Sequence, residues 1–255
     1  MIWLAAIGAG ICIFAYLNNT CIVCSRHEIH TQKAQGRILH LSDLHSCRFT
    51  ERLKKRILRE KPDLIVITGD LWDRKKRRIH RMVCYAEELC RICPVVYVPG
   101  NHEFHEPDHE RIFAQMKQRG IDVLRHRIKA YGGITVLGMD LLKYGAFTQQ
   151  ELKRLEQAEG FRLAAAHYPE SFERIFAGRE IDLVLCGHAH GGQFRIPFLK
   201  KGLYSPGQGV FPRYSEGLHE KDGVKMIVSR GIGNSRFPFR LFNLPEIVVI
   251  DLKRK

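Results

Sequence analysis

Acidic side chains are in short supply in this sequence. Asp and Glu number 27 against 41 Lys and Arg, leaving a formal net charge of +14. That balance favours anionic partners, meaning phosphates, acidic lipid headgroups or nucleic acid, without choosing among them. The paired Cys-x-x-Cys spacing of a zinc knuckle is also missing. Cys90-x-x-Cys93 sits in a stretch that reads as a helix, and no second matching pair is placed to complete a zinc knuckle. Of the 8 cysteines, Cys12, Cys21 and Cys24 lie in or beside an N-terminal apolar segment, and Cys47, Cys84, Cys90, Cys93 and Cys186 are scattered. Reduced, buried thiols are expected for these five, which suits a reducing compartment. Internal repeats and low-complexity linkers are absent. With hydrophobic residues at 45% and charged residues at 27%, disorder is excluded. A chain of 255 residues is long enough to bury a core.

Charge is absent altogether from residues 1–25, and residues 2–17 are almost wholly apolar. A helix needs ~20 apolar residues to cross the bilayer core, and Cys21, Ile22 and Val23 extend this run toward that length. The basic n-region of a cleaved signal peptide is missing, no small-x-small site follows Leu17, and neither Cys21 nor Cys24 follows the small residues of a lipoprotein signal. The expectation is an uncleaved membrane-anchor helix over residues 1–25, a linker over 26–35 and one catalytic domain over 36–255, active without the anchor. Arg26, His27, Lys33 and Arg37 follow the span, so the positive-inside bias places the domain in the cytoplasm, with an exported face as the alternative.

From Gly36 the texture alternates between short apolar runs and charged amphipathic stretches. Residues 37–41, 64–68, 95–98, 163–166, 183–186, 226–229 and 247–250 read as buried strands. Residues 51–59, 79–91 and 110–119 read as helices, and 148–157 as a helix opened by the capping-box pair Thr148 and Glu151. Gly132-Gly133 reads as a hairpin turn into 134–138. The early order strand, helix, strand, helix, strand implies parallel βαβ units in an α/β fold.

Polar residues able to bind metal follow these strands. Asp43-x-His45 follows the first, Gly69-Asp70 the second, Gly100-Asn101-His102-Glu103 the third, His167 a later one, and Gly187-His188-Ala189-His190 another. Ligands bind beyond the carboxyl ends of strands in open α/β sheets. Each motif alone is weak, since a lone Asp-x-His is usually a surface turn and a lone buried His a hydrogen-bonded structural residue. Five clusters, each just past a strand, are a poor fit to chance. His105, His109 and His126 stay in the structural class.

The pattern D-x-H, G-D, G-N-H, H, G-H-x-H in this chain order resembles the calcineurin-like metallophosphoesterases, from Arg37 to Leu252. The stretch Gly187 to Gln193 with Arg195-Ile196-Pro197, and the tail Ser229-Arg230-Gly231-Ile232-Gly233 with Pro245-Glu246-Ile247, are similar to a membrane-associated bacterial branch. That branch is related to hydrolases of the UDP-2,3-diacylglucosamine pyrophosphate. The resemblance implies an α/β four-layer α/β/β/α sandwich of two mixed sheets flanked by helices. It implies two divalent metal ions (Mn²⁺, Fe or Zn²⁺), held by oxygen and nitrogen ligands without thiolate. Asp43, His45 and His190 would bind the first, Asn101, His167 and His188 the second, and Asp70 would bridge them. A metal-bridging hydroxide would attack a phosphodiester, phosphomonoester or pyrophosphate in line. His102 resembles the catalytic histidine that protonates the leaving oxygen or steadies the transition state. Asp73 corresponds to a carboxylate orienting it, and Arg74 to a phosphate-binding arginine. A solvated turn is the rival for these last two, because Lys75, Lys76, Arg77 and Arg78 follow.

For the substrate, Arg52-Lys54-Lys55-Arg56 and the run from Arg74 to Arg78 with Arg81 are solvated faces by default, and an anionic membrane surface is the next partner. Nucleic acid ranks third, for want of interleaved aromatics. Residues 191–223 carry Phe194, Phe198, Leu203, Tyr204 and Phe211 among many Gly and Pro, and are expected to form a lip that meets acyl chains or the bilayer. The expected function is a phosphoesterase acting on a lipid-linked substrate such as a UDP-diacylglucosamine-like glycolipid or a phospholipid. The alternative is an anchored phosphodiesterase or nuclease for soluble nucleotides or nucleic acid. A metal-binding scaffold without catalysis is disfavoured by His102 beside a full ligand set.

Overall fold

Short runs of Val, Ile and Leu become strands buried on both faces, and these runs set the architecture. The computed structural model describes residues 2–48, 50–75, 78–140, 146–199, 201–234, 237 and 239–254. In chain order the strands are β1 (Val23–His30), β2 (Gly36–Leu41), β3 (Leu64–Thr68), β4 (Val95–Val98), β5 (Asp122–Val123), β6 (Arg127–Tyr131), β7 (Ile134–Met139), β8 (Phe161–Ala166) and β9 (Leu183–Cys186). Four two-residue strands follow, β10 (Arg195–Ile196), β11 (Lys201–Gly202), β12 (Tyr204–Ser205) and β13 (Gly209–Val210), and then β14 (Gly217–Lys221), β15 (Val224–Val228) and β16 (Glu246–Lys253). One sheet has the order β1-β16-β2-β3-β4-β5 and the other β14-β15-β9-β8-β7-β6. Both are mixed. β2 to β5 run parallel while β16 is antiparallel to β2. β7, β8, β9 and β15 run parallel, with β6 and β14 antiparallel at the edges.

The helices are α1 (Ile2–Thr20), α2 (Thr50–Glu60), α3 (Ile79–Cys90), α4 (His109–Gln118), α5 (Ala146–Glu156) and α6 (Phe172–Ile175). The period-2 alternation of strands sorts the apolar residues into three layers. Ile38, Val66 and Val96 of the first sheet meet Val136, Leu163 and Leu185 of the second. Leu39, Ile65 and Ile67 face outward onto Leu53 and Ile57 of α2 and Leu89 of α3. Leu137, Ala164 and Val184 face Leu152 and Leu155 of α5 on the far side. This is an α/β fold of two mixed sheets with helices on both outer faces. The expected strands and helices are present within a few residues of their expected ends. The capping box is not: α5 opens at Ala146, so Thr148 lies inside the helix.

The N-terminal expectations need correction. Among the described residues no helix is long and apolar enough to cross a membrane, so the membrane-anchor helix, and a localisation resting on it, are not supported. The physical reason lies in the last turn of α1. The apolar stretch 2–17 gives a helix of about 24 Å, short of a ~30 Å hydrocarbon core. The polar residues after it are tied to the protein. Asn18 is buried, the Asn19 side-chain Oδ1 accepts from Arg240 N and Asn234 Nδ2, and Arg52 donates to Thr20 O. Residues 26–35, expected as a linker, contain the greater part of β1, which pairs with β16 along all its length. Deleting residues 1–25 would therefore remove the start of a sheet strand.

Shortening a fully buried side chain between the sheets should be costly. Leu163→Ala is expected to lower the unfolding free energy by about 2–5 kcal/mol, and Leu58→Ala on exposed α2 surface by no more than about 0.5 kcal/mol. Urea unfolding of both variants checks the contrast.

Candidate metal centre

The loops leaving the carboxyl ends of β2, β3, β4, β8 and β9 converge, and each delivers polar side chains at its first turn. Asp43, His45, Asp70, His188 and His190 adopt positive φ between 44° and 65°. That region is disfavoured for non-glycine residues, at roughly 1–3 kcal/mol each, and recurs where a backbone re-aims a functional side chain. Two glycines make room. A Cβ on Gly100 would stand 2.3 Å from Asp70 Oδ1, and one on Gly187 would stand 1.8 Å from Ser42 Oγ.

The structure brings the seven expected ligands together as two groups around one carboxylate. Donor atoms of Asp43, His45 and His190 lie within 4.8 Å of one another, as do those of Asp70, His167 and His188. His45 Nε2 is 3.1 Å from His190 Nε2. His167 Nε2 is 3.1 Å from His188 Nδ1 and 3.2 Å from Asn101 Oδ1. Asp70 Oδ2 sits between the groups, 3.5 Å from His45 Nε2 and 3.5 Å from His167 Nε2. Lone-pair atoms that converge at such distances beside buried carboxylates repel one another unless a cation or a proton lies among them. Such a donor set suits a pair of divalent cations, with O and N ligands and no thiolate. His167 Nδ1 lies 2.7 Å from Thr68 O, so that N–H donates to the carbonyl and Nε2 is left to face the cluster.

The electrostatics show what stands in for a cation. Burial pushes Asp70 up, but His167, with His45 and His102 behind it, carries its carboxyl well below the usual range. Burial pulls His167 down, and Asp70 more than reverses that, lifting it to about 10. Burial holds His45 and His188 down at about 3. One proton on His167 thus answers Asp70. Burial also raises Asp43 to about 6, against the pull of His167.

His102 stands beside the two groups. Its Nδ1 accepts from Arg74 N at 3.3 Å, which places the proton of the neutral ring on Nε2. Nε2 is 3.9 Å from Asp70 Oδ2, and the ring also falls within a three-donor cluster with His45 and Asp70. Asp73 Oδ2 lies 3.7 Å from His102 Nδ1 and 3.7 Å from His45 Nδ1. Arg74 is exposed and lines the cavity above the cluster with Lys75. Lys76 and Arg77 lie outside the described residues. His105, His109 and His126 join no donor cluster among the described residues. The cysteines are free thiols, and burial raises Cys90 to about 11 and Cys93 to about 12.

Sequence reasoning missed residues that hold this arrangement. The Glu103 carboxylate accepts from the main-chain N–H of Asp70 (2.9 Å), Leu71 (2.9 Å) and Gly100 (2.7 Å), fastening the Asp70 loop to the Asn101–His102 loop. Its place in the Gly-Asn-His-Glu run was the available signal. Asn243 donates to His190 O and Gln193 O, and Gln193 to Phe237 O and Phe239 O. No sequence pattern marks Asn243, which lies far along the chain from any ligand.

Comparison with known proteins agrees with this geometry. The profile of the calcineurin-like phosphoesterases matches residues 36–192. The chain is 30% identical over 236 residues to the phosphodiesterase YaeI of Escherichia coli, covering 86% of this chain and 83% of that one. It is 26% identical over 262 residues to an uncharacterized metallophosphoesterase of Aquifex aeolicus, covering 95% and 96%. In fold it is similar to a dimetal phosphatase from Danio rerio, with a TM-score of 0.50 at 14% identity over 78% of this chain and 88% of that one.

Asp70→Ala should lose bound metal together with activity. His102→Ala should keep the parent's metal content while turnover falls ~10²–10⁴-fold, less for a p-nitrophenolate leaving group. Metal analysis with kinetics on good and poor leaving groups tests both, and a missing metal equivalent in His102→Ala would make His102 a ligand. Metal uptake should also release protons. Below about pH 10 the metal-free protein carries the His167 proton, which a cation must expel, so affinity should rise with pH up to that point. Calorimetry in buffers of different ionisation enthalpy measures the release.

Proposed function

The chain belongs to the calcineurin-like phosphoesterase family, and we propose that it hydrolyses a phosphoester or pyrophosphate whose one arm is lipid-linked. It is a metal-dependent phosphoester hydrolase. The finer reading rests on one observation. The cavity of about 800 Å³ above the cluster has Asp70, His102 and His190 at its floor and Phe194, Leu203, Tyr204 and Phe237 along one wall. An apolar wall of that kind accepts hydrocarbon, while Arg74 and Lys75 at the rim suit a second anionic group. Beyond the wall the apolar surface continues, with Phe198 at 100% and Phe211 at 52% exposure.

In this reading two divalent cations held by the seven ligands supply a water of lowered pKa and offset phosphate charge. The chain's own residues do the rest. His102 donates from Nε2 toward the leaving oxygen, and the Arg74 main-chain N–H on Nδ1 orients the ring. The Asp73 carboxylate 3.7 Å from Nδ1 favours the protonated ring that a proton donor needs, and the Arg74 side chain binds a phosphate oxygen. The nucleic-acid alternative is weakened by how the basic clusters are spent. Lys54 pairs with Glu88, Arg56 donates to Cys24 Sγ, and Arg81 donates to Arg48 O and Thr50 Oγ1.

The Mn²⁺-loaded protein should cleave phosphodiesters with acyl arms of increasing length at rising kcat/KM, each buried methylene adding about 0.8 kcal/mol. Phe237→Ala should flatten that dependence while leaving bis-(p-nitrophenyl) phosphate turnover near the parent value. A flat series in the parent, or preference for a dinucleotide, would overturn the lipid-linked reading.

A further inference from the structure

The segment between β15 and β16 contributes none of the seven ligands, yet it stands behind the first group. Arg240 is 1% exposed. Its Nε donates to Asn234 Oδ1 at 3.0 Å, Nη1 to Arg230 O at 2.9 Å and Nη2 to Gly233 O at 2.6 Å. The same Nη2 lies 3.5 Å from His190 Nδ1. Gly233 in turn donates its N–H to Asp43 O at 2.7 Å. Burying a guanidinium is costly in hydration, and three oxygen acceptors in fixed places are what offset it. The fork is thereby locked against one ligand ring and, through one peptide, against the main chain of a second ligand.

The outer end of this arrangement is the last turn of α1. Asn19 Oδ1 accepts from Arg240 N at 2.8 Å and from Asn234 Nδ2 at 2.8 Å. Its Nδ2 donates to Ala15 O at 2.7 Å within the helix. Phe14, one turn earlier, packs on Phe242 with ring centroids 5.1 Å apart. A single helical residue thus fixes both the backbone of Arg240 and the side chain that receives the Arg240 Nε–H.

We propose that Arg240 is a positioning residue for the first metal group, Asp43, His45 and His190, and that α1 supports it through Asn19. The N-terminal helix is then part of the metal centre's framework. This goes beyond the substrate reading and does not depend on it. It rests on the two-group reading of the site, so the parent protein must bind two Mn²⁺ equivalents before the variants are read.

The test is Mn²⁺ binding to the metal-free full chain, followed by competition with a chromogenic chelator, with far-ultraviolet circular dichroism to check folding. Asn19→Leu removes both acceptor contacts at similar size. It should weaken one equivalent 10–100-fold, the usual cost of losing a group that orients a ligand, and leave the other within about twofold. Asn19→Asp keeps the accepting oxygen and should restore the weakened equivalent. Arg240→Lys keeps the charge but not the fork, and should weaken that same equivalent. It also serves should the leucine variant not fold. Unchanged affinity of both equivalents in Asn19→Leu and Arg240→Lys, or equal weakening of both, would overturn the proposal.

Discussion

A carboxylate sealed from water has to be answered by positive charge, and Asp70 is that carboxylate. It is 1% exposed and lies 3.5 Å from two histidines of two different groups. Without compensation such a group is expensive, and in the metal-free chain His167 supplies the compensation as a proton. The arrangement is therefore poised between a proton and a pair of cations. Five loops, two glycines and a buried Glu103 exist in their observed geometry because Asp70 must stay where both groups reach it. Glu103 is itself pushed up to about 7 by burial and then by Asp70, while the N–H groups it accepts from pull the other way. Glu103 and Asp70 are tolerable side by side because one holds backbone amides and the other faces imidazoles.

The sheets explain why the loops meet. β2, β3 and β4 run parallel in one sheet and β8 and β9 in the other, so their carboxyl ends share one rim. Ile38, Val66 and Leu163 press the sheets together behind that rim. Five metal-ligand residues with positive φ add strain that only a stiff support sustains. The intersheet core thus has a functional consequence, because it holds the strand ends still while the loops carry unfavourable dihedrals.

What sequence made legible divides along physical lines. The central strands β3, β4 and β9 match their expected limits because a run such as Leu-Ile-Val-Ile-Thr is buried on both faces and ends abruptly in Gly-Asp. β1 was not legible, since Cys-Ser-Arg-His-Glu-Ile-His is mostly polar and carries the charges of Arg26 and Glu28 mid-run, as an edge strand does. β1 is fastened instead by register to β16 and by Ser25 to Glu246. Among the site residues, those aimed by a glycine just past a strand declared themselves through spacing. Arg240 and Asn243 did not, because most of their partners are main-chain carbonyls, such as Gly233 O and His190 O, and a hydrogen bond to a carbonyl leaves no trace in side-chain pattern.

The N-terminal segment shows how one pattern supports two structures. An uncharged apolar run satisfies the composition of a span, but composition does not register where the run must stop. In α1 it stops at Asn18-Asn19-Thr20, and each of these side chains bonds back to a carbonyl four residues earlier. Those bonds let a polar turn close the helix while Asn19 still offers its side-chain Oδ1 to Arg240 and Asn234. Apolar side chains such as Trp3 and Ile11 stay exposed along the helix, and Phe14 joins that surface to Phe242. Phe242 lies in the same segment as Phe237 of the cavity wall and Arg240 behind His190. The helix that composition sets apart from the enzyme is therefore continuous with both walls of its site, one apolar and one built on hydrogen bonds.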